Sequence, residues 1–128
     1  MLVTFEEITA SMQKWEMRTL SNLLINHMLD ICIMQGKIIK NAQIRRFFNE
    51  KGYKVADTQV RQIIHNIRVN YVFSNSYYIC ASQKGYLLTN DIAKITLFKK
   101  SLVQRTQSIN EVVNSINISY IYKISQTY

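Results

Sequence analysis

Three observations in the 128-residue sequence predict an α-rich α+β fold built around residues 57–88. Apolar residues recur at spacings of three and four along most of the chain, the period of a helix. Residues 69–89 break that rhythm with β-branched and aromatic side chains, which suit strands. Proline is absent, and the three glycines, Gly36, Gly52 and Gly85, divide the chain into four segments.

The elements follow in order. Val3-Thr4-Phe5-Glu6-Glu7-Ile8 has the form of a capping box, with Thr4 as N-cap, Glu7 returning to its backbone N–H and Val3 stapling onto Ile8. A helix is expected from near Phe5. Met17, Leu20, Leu24, Met28 and Ile31 make one stripe, Leu23 and Met34 broaden it, and Gly36 supplies a left-handed residue to end it. One helix over 5–35 and two helices broken at 11–14 both fit. Met12 and Trp15 are assigned to the core, as large apolar side chains on a stripe usually are.

Residues 37–40 leave room for one short strand. Asn41 is expected to cap a helix over 41–51 that turns Ile44, Phe47 and Phe48 inward and Arg45, Arg46 and Lys51 outward, ending at Gly52. Asp57 opens the next helix, 57–68. At 3.6 residues per turn, Val60, Ile63, Ile64 and Ile67 share one face, while Thr58, Gln62 and His65 point away from it. Gln59 and Asn66 flank the outer face on one side, Arg61 and Arg68 on the other.

Residues 69–73 and 77–81 read as strands around a turn at 74–76, 82–85 as a second turn and 86–89 as a further strand. Asn90 caps a long final helix, 90–116, with Asp91 in its first turn. Ile95, Phe98, Leu102, Ile109, Val112 and Ile116 lie at alternating steps of three and four, and only Arg105 breaks the heptad seam. The seam fits packing on its own domain and a homodimer through the helix 90–116 equally. The tail, 117–128, alternates apolar and polar residues, as a strand, a docking arm or a frayed end would. The order of elements predicts a single winged helix-turn-helix domain over 1–128. It comprises an N-terminal helical segment at 1–36, a helix-turn-helix with an antiparallel β-hairpin or three-stranded wing at 37–89, the C-terminal helix and the tail.

Composition bounds the function. An apolar fraction of 48% and a charged fraction of 19% belong to a globular protein. Cys32 and Cys80 stand far apart without a Cys-x-x-Cys, which reads as reduced core cysteine. The start, MLVTFEEIT, lacks the pattern of a signal peptide or membrane span, so a cytosolic location is expected, that of a bacterial host if the protein is phage-encoded. The net charge of +8 is unevenly placed: −2 over residues 1–36, +9 over 37–100 and +1 beyond. No acidic residue occurs between Thr58 and Asn90. A field of one sign attracts a polyanion.

An enzyme needs a convergent acid, base, nucleophile or metal site. His27 and His65 lie in different helices, only Asp30 stands near His27, and phosphate loops, HExxH and paired cysteine ligands are missing. A lone histidine beside an apolar stripe is usually packed or half-exposed. Neither catalysis, a metal nor a cofactor is expected. Binding has several parts. Two helices joined by a short glycine-containing turn make the helix-turn-helix layout. The second presents Thr58, Gln59, Arg61, Gln62, His65 and Asn66, residue types that read base edges. Lys40, Arg45, Arg46, Lys54, Arg68, Ser82, Gln83 and Lys84 are placed to hold the backbone, the last three at the hairpin tip.

The run Val60-Arg61-Gln62-Ile63-Ile64-His65-Asn66-Ile67-Arg68, followed by Ile79-Cys80-Ala81-Ser82-Gln83-Lys84-Gly85-Tyr86-Leu87-Leu88, resembles a family of small winged-helix proteins from phages and mobile elements. Members have a V-R-x-x-I-x-x-L-R helix, an I-C/V-S-S-x-x-G-Y wing and a long C-terminal helix. The likeness covers roughly residues 37–116 and implies double-stranded DNA binding in phage replication or transcription control. The chain departs from the pattern in a longer segment at 69–78 and in Ala56, which stands where a capping serine or threonine is usual, leaving Asp57 to take that role. A rival reading is a winged-helix module with which a phage occupies a host nucleic-acid-acting protein. Tyr71, Phe73, Tyr77, Tyr78 and Tyr86 would suit that interface.

Overall fold

The computed structural model describes residues 14–127, with side chains as far as residue 121. The expected Thr4 cap, the Val3–Ile8 staple and Met12 lie outside the described residues. Within them the protein is a helix-rich α+β structure of four helices and one two-stranded antiparallel hairpin. Its backbone falls into two units, divided after Asp91.

In the first unit, α1 spans Lys14–Met28 and runs without a break into a π-helical turn, Leu29–Met34. Leu20, Leu24, Ile25 and Met28 are buried along one face, as the three-and-four spacing requires. The turn ends at Gly36, which adopts φ +66°, while the Lys37 N–H reaches back to the Ile31 carbonyl at 3.0 Å. Two expectations fail here. Trp15 is 61% exposed, and Met34 is exposed as well. Trp15 sits in the first described turn of α1, before the buried stripe begins at Leu20. Met34 sits where the wider π turn rotates the stripe away from the core.

The second and third helices, α2 (Asn41–Glu50) and α3 (Asp57–Asn70), start one residue earlier in their caps than expected. Lys40 and Ala56 take the extended N-cap conformation, so Asn41 and Asp57 are the first helical residues rather than the caps. Neither cap residue has an oxygen-bearing side chain. A glutamine three residues on supplies the acceptor instead: Gln43 Oε1 takes the Lys40 N–H at 2.7 Å and Gln59 Oε1 the Ala56 N–H at 2.8 Å. At the end of α2, Gly52 stands at φ +89° with its N–H bonded to the Asn49 carbonyl, and the Tyr53 N–H bonds to Phe48. That pair of bonds is a Schellman closure.

Helix α3 continues to Asn70, so residues 69–73 do not form the expected strand. The chain then passes through Phe73, which is buried, and a 3₁₀ turn, Ser74–Ser76. Strands β1 (Tyr78–Ser82) and β2 (Gly85–Thr89) pair antiparallel in register from Tyr78–Thr89 to Ser82–Gly85, leaving Gln83 and Lys84 at the tip. A third rung comes from elsewhere. Ile39 bridges Tyr86, with N–H···O bonds of 2.9 and 2.8 Å in the two directions. The short strand expected at 37–40 is thus one bridging residue on the hairpin's edge.

The core of this unit joins α1, Ile44 and Phe48 of α2, the isoleucines of α3, Ile39, Ile79 and Leu88. Cys32 and Cys80 are buried and form no disulfide among the described residues, and burial pushes the Cys32 thiol above its ordinary value against a weaker opposing hydrogen bond at the Leu88 backbone.

The second unit is a single helix, α4, spanning Ile92–Thr127. It starts after Asn90 and Asp91, which lie before the helix instead of at its cap and in its first turn. The Asp91 N–H bonds to Thr89 Oγ1 at 3.1 Å. At its other end the helix continues through residue 127, so the tail is helix and not the expected strand. Ile116 and Tyr120, four residues apart, satisfy a helical period as well as an alternating one, and extending an existing helix costs less than starting new structure. No helix among the described residues is long and apolar enough to cross a membrane.

Candidate nucleic-acid interface

Helix α3 is wedged between α1 and α2 and also touches β1. This decides which of its side chains remain available. The isoleucine face meets the core, but contact with α1 on one flank widens the buried arc beyond the apolar stripe. On that flank Asn66 Nδ2 donates to Ser21 Oγ at 2.9 Å, and Asn70 Nδ2 donates to Asn66 Oδ1 at 2.7 Å. Gln62, one turn earlier, is 2% exposed rather than outward-facing, and its amide has no hydrogen-bond partner among the described residues. Gln59 is half-buried and occupied by the Ala56 cap. The exposed arc is therefore narrower than the six residues expected, and consists of Thr58, Arg61 and His65, bordered by Asp57 and Val69.

The backbone-gripping set divides in the same way. Arg68 is half-buried, and its Nε donates to the Ile79 carbonyl at 3.0 Å, fastening α3 to β1. Arg45 Nε donates to the Val55 carbonyl at 3.2 Å, which holds α2 to the turn while the residue stays exposed. Ser82 Oγ accepts the Lys84 N–H at 3.2 Å and pins the hairpin tip. Lys40, Arg46, Lys54, Gln83 and Lys84 are exposed.

The fold gathers these cations although they are scattered in sequence. One groove, of about 590 Å³, is lined by Lys40, Asn41 and Arg45 from the start of α2, Asp57 and Arg61 from the start of α3, and Ser82, Gln83, Lys84 and Tyr86 from the hairpin. A second, of about 610 Å³, shares Arg45 and adds Arg46, Asn49, Lys54 and Gln59. Six cations thus border two adjoining grooves, the first at the N-terminal ends of both helices and the second at that of α3, where backbone dipoles add positive potential. Within the first groove Asp57 and Arg61 form an i,i+4 ion pair. An exposed pair of this kind contributes little stability, so it leaves Arg61 free to exchange partners.

Sequence reasoning overlooked Asn49, although it stands four residues after Arg45 on the same helix face, and it read Asn41 as a cap. The helical period signals the first. Nothing local signals that Tyr86 and Lys84 come alongside Lys40, because that proximity depends on the single Ile39–Tyr86 bridge.

The aromatic residues are mostly committed elsewhere. Phe73 is buried with Tyr71 edge-on to it at 4.8 Å between centroids, and Tyr77 and Tyr86 pack against the core. His27 is half-buried and stacks on Phe47 with ring centroids 3.9 Å apart, and the Lys51 ammonium lies 5.6 Å from the Phe47 centroid. Burial lowers the His27 pKa below its ordinary value. Asp30 opposes that shift, Lys51 adds to it and Glu50 opposes it. Comparison with protein-family models, curated proteins and solved structures finds no match to this chain.

Proposed function

We propose that the protein is a non-catalytic, double-stranded DNA-binding protein of winged helix-turn-helix type, acting in phage or mobile-element replication or transcription control in the host cytosol. The observation that supports this reading is the convergence of Lys40, Arg45, Arg46, Lys54, Arg61 and Lys84 from two helix starts, a turn and a hairpin tip onto one pair of grooves. Helix α3 enters the major groove by its N-terminal half, with Thr58, Arg61 and His65 toward the base edges. Residues 82–86 lie on the adjacent backbone. Affinity then comes chiefly from the cations and sequence preference from the three helix residues. The host-protein reading draws less support, because Phe73, Tyr77 and Tyr86 are spent on the core.

Fluorescence anisotropy of a labelled random duplex, titrated at several salt concentrations, tests the proposal. Five phosphate contacts, from the cations other than Arg61, give a log–log slope of about −4.5. Absence of duplex binding at low salt, or a slope near zero, overturns it.

A further inference from the structure

Helix α4 carries a stripe that its own unit leaves uncovered. Leu102, Thr106, Ile109, Val113, Ile116 and Tyr120 follow one another by four, three, four, three and four residues, the rhythm of a coiled-coil seam. At 100° per residue all six fall within roughly a quarter of the helix circumference. The five larger members are 40% to 65% exposed. The observed length of α4 matters here, because a helix ending at 116 would lose Tyr120. The stripe also differs from the seam drawn from sequence: Val112 and Arg105 flank it, while Thr106 and Val113 lie on it.

We propose that this stripe pairs with the same stripe of a second copy of the chain as a parallel two-stranded coiled coil. Heptad spacing calls for another heptad-spaced helix, and each copy supplies one. Charge gives no handle for a different partner: between residues 101 and 122 only Arg105 and Glu111 are charged. The parallel, in-register arrangement sets polar Thr106 against its own counterpart and Tyr120 against Tyr120, and it turns Arg105 toward Asn110 on the other strand. An antiparallel pairing of the whole stripe sets Thr106 against Ile116 and Leu102 against Tyr120. Two copies of the five larger side chains at this exposure bring on the order of 1,000 Å² together, the lower bound of a specific interface. The pairing stands whatever the basic face binds.

Sedimentation equilibrium of the full chain reads the result. The expected mass is twice the 15.1 kDa of one chain. Ile109→Asp places unpaired carboxylates in the seam and weakens the dimer about a hundredfold or more. Gln104→Glu, on the opposite face, leaves it intact. Should Ile109→Asp fail to fold, cysteine cross-linking decides. Thr106→Cys oxidises to a covalent dimer and Gln104→Cys does not, against a low background because Cys32 and Cys80 are buried. A monomer across the micromolar range overturns the proposal, as does a mass that Ile109→Asp leaves unchanged or equal cross-linking at 104 and 106.

Discussion

Gln62 is enclosed with both amide atoms unpaired among the described residues, in a helix whose neighbours on that flank satisfy each other through Asn66 and Ser21. An unpaired buried amide costs about 1–3 kcal/mol relative to an apolar group of similar shape. Gln62→Leu is therefore expected to raise stability by about 1 kcal/mol or more, read as a higher urea midpoint, and to leave duplex affinity unchanged. A lower midpoint would show the amide to be bonded after all. His27 makes a second residue-scale prediction. Its folded pKa lies below the ordinary value, so the unfolded chain binds that proton more readily. Its contribution to stability is thus complete above pH 6.5 and declines as pH falls through 6.5 toward the lower folded value. His27→Phe should keep the ring stack on Phe47 and flatten the stability profile between about pH 7 and 5, above the range where carboxylates protonate. A profile identical to the parent's would assign the slope to another group.

At the scale of elements, Gly52 and Gly85, two of the three glycines of the first unit, predict different costs. A Cβ on Gly85 would stand 2.6 Å from the Ile39 carbonyl oxygen, the acceptor for the Tyr86 N–H, and Gly85 has φ +134°. Gly85→Ala should cost on the order of 2–3 kcal/mol and separate Ile39 from the hairpin, visible as loss of amide exchange protection at Ile39 and Tyr86. Gly52 has open space around its Cβ position, so Gly52→Ala should cost only about 1 kcal/mol for the left-handed backbone. Equal costs would remove the role given to the Ile39 bridge. The same elements mark what sequence could disclose. Helices α2 and α3, the left-handed closures at Gly36 and Gly52 and the turn before Gly85 follow from local spacing and backbone chemistry, and all were legible. The Ile39 bridge is one residue long and has no period to read. Gln62 looked outward because an angular count on one helix cannot see the flank that α1 covers. The β-branched and aromatic run at 69–73 suits a strand, yet the Tyr71 N–H still bonds to the Ile67 carbonyl and carries the helix through Asn70. Of the candidate site, residue types and overall charge were legible. The split between exposed cations and those used to fasten elements, such as Arg68, depended on tertiary contacts.

Over the whole of the first unit, charge separates into two kinds that mutation should distinguish. Lys84 stands exposed at the hairpin tip in the groove it shares with Lys40 and Arg61, whereas Arg68 holds the Ile79 carbonyl. Lys84→Ala removes one phosphate contact. It should weaken binding to every duplex alike and reduce the magnitude of the salt slope by about 0.9, with stability unchanged. Thr58→Ala with His65→Ala should leave that slope in place and flatten the preference among sequences, because neither side chain belongs to the Lys and Arg set that grips the backbone. Arg68→Ala should act first on stability: it leaves a carbonyl of β1 without its donor and loosens the hairpin from α3, so affinity falls only as the folded fraction falls. Thermal melts run beside the salt titrations tell the three classes apart. If Arg68→Ala lowered affinity at full folding by the same slope decrement as Lys84→Ala, the guanidinium would belong to the binding face, and the division of this unit into gripping and fastening cations would be wrong.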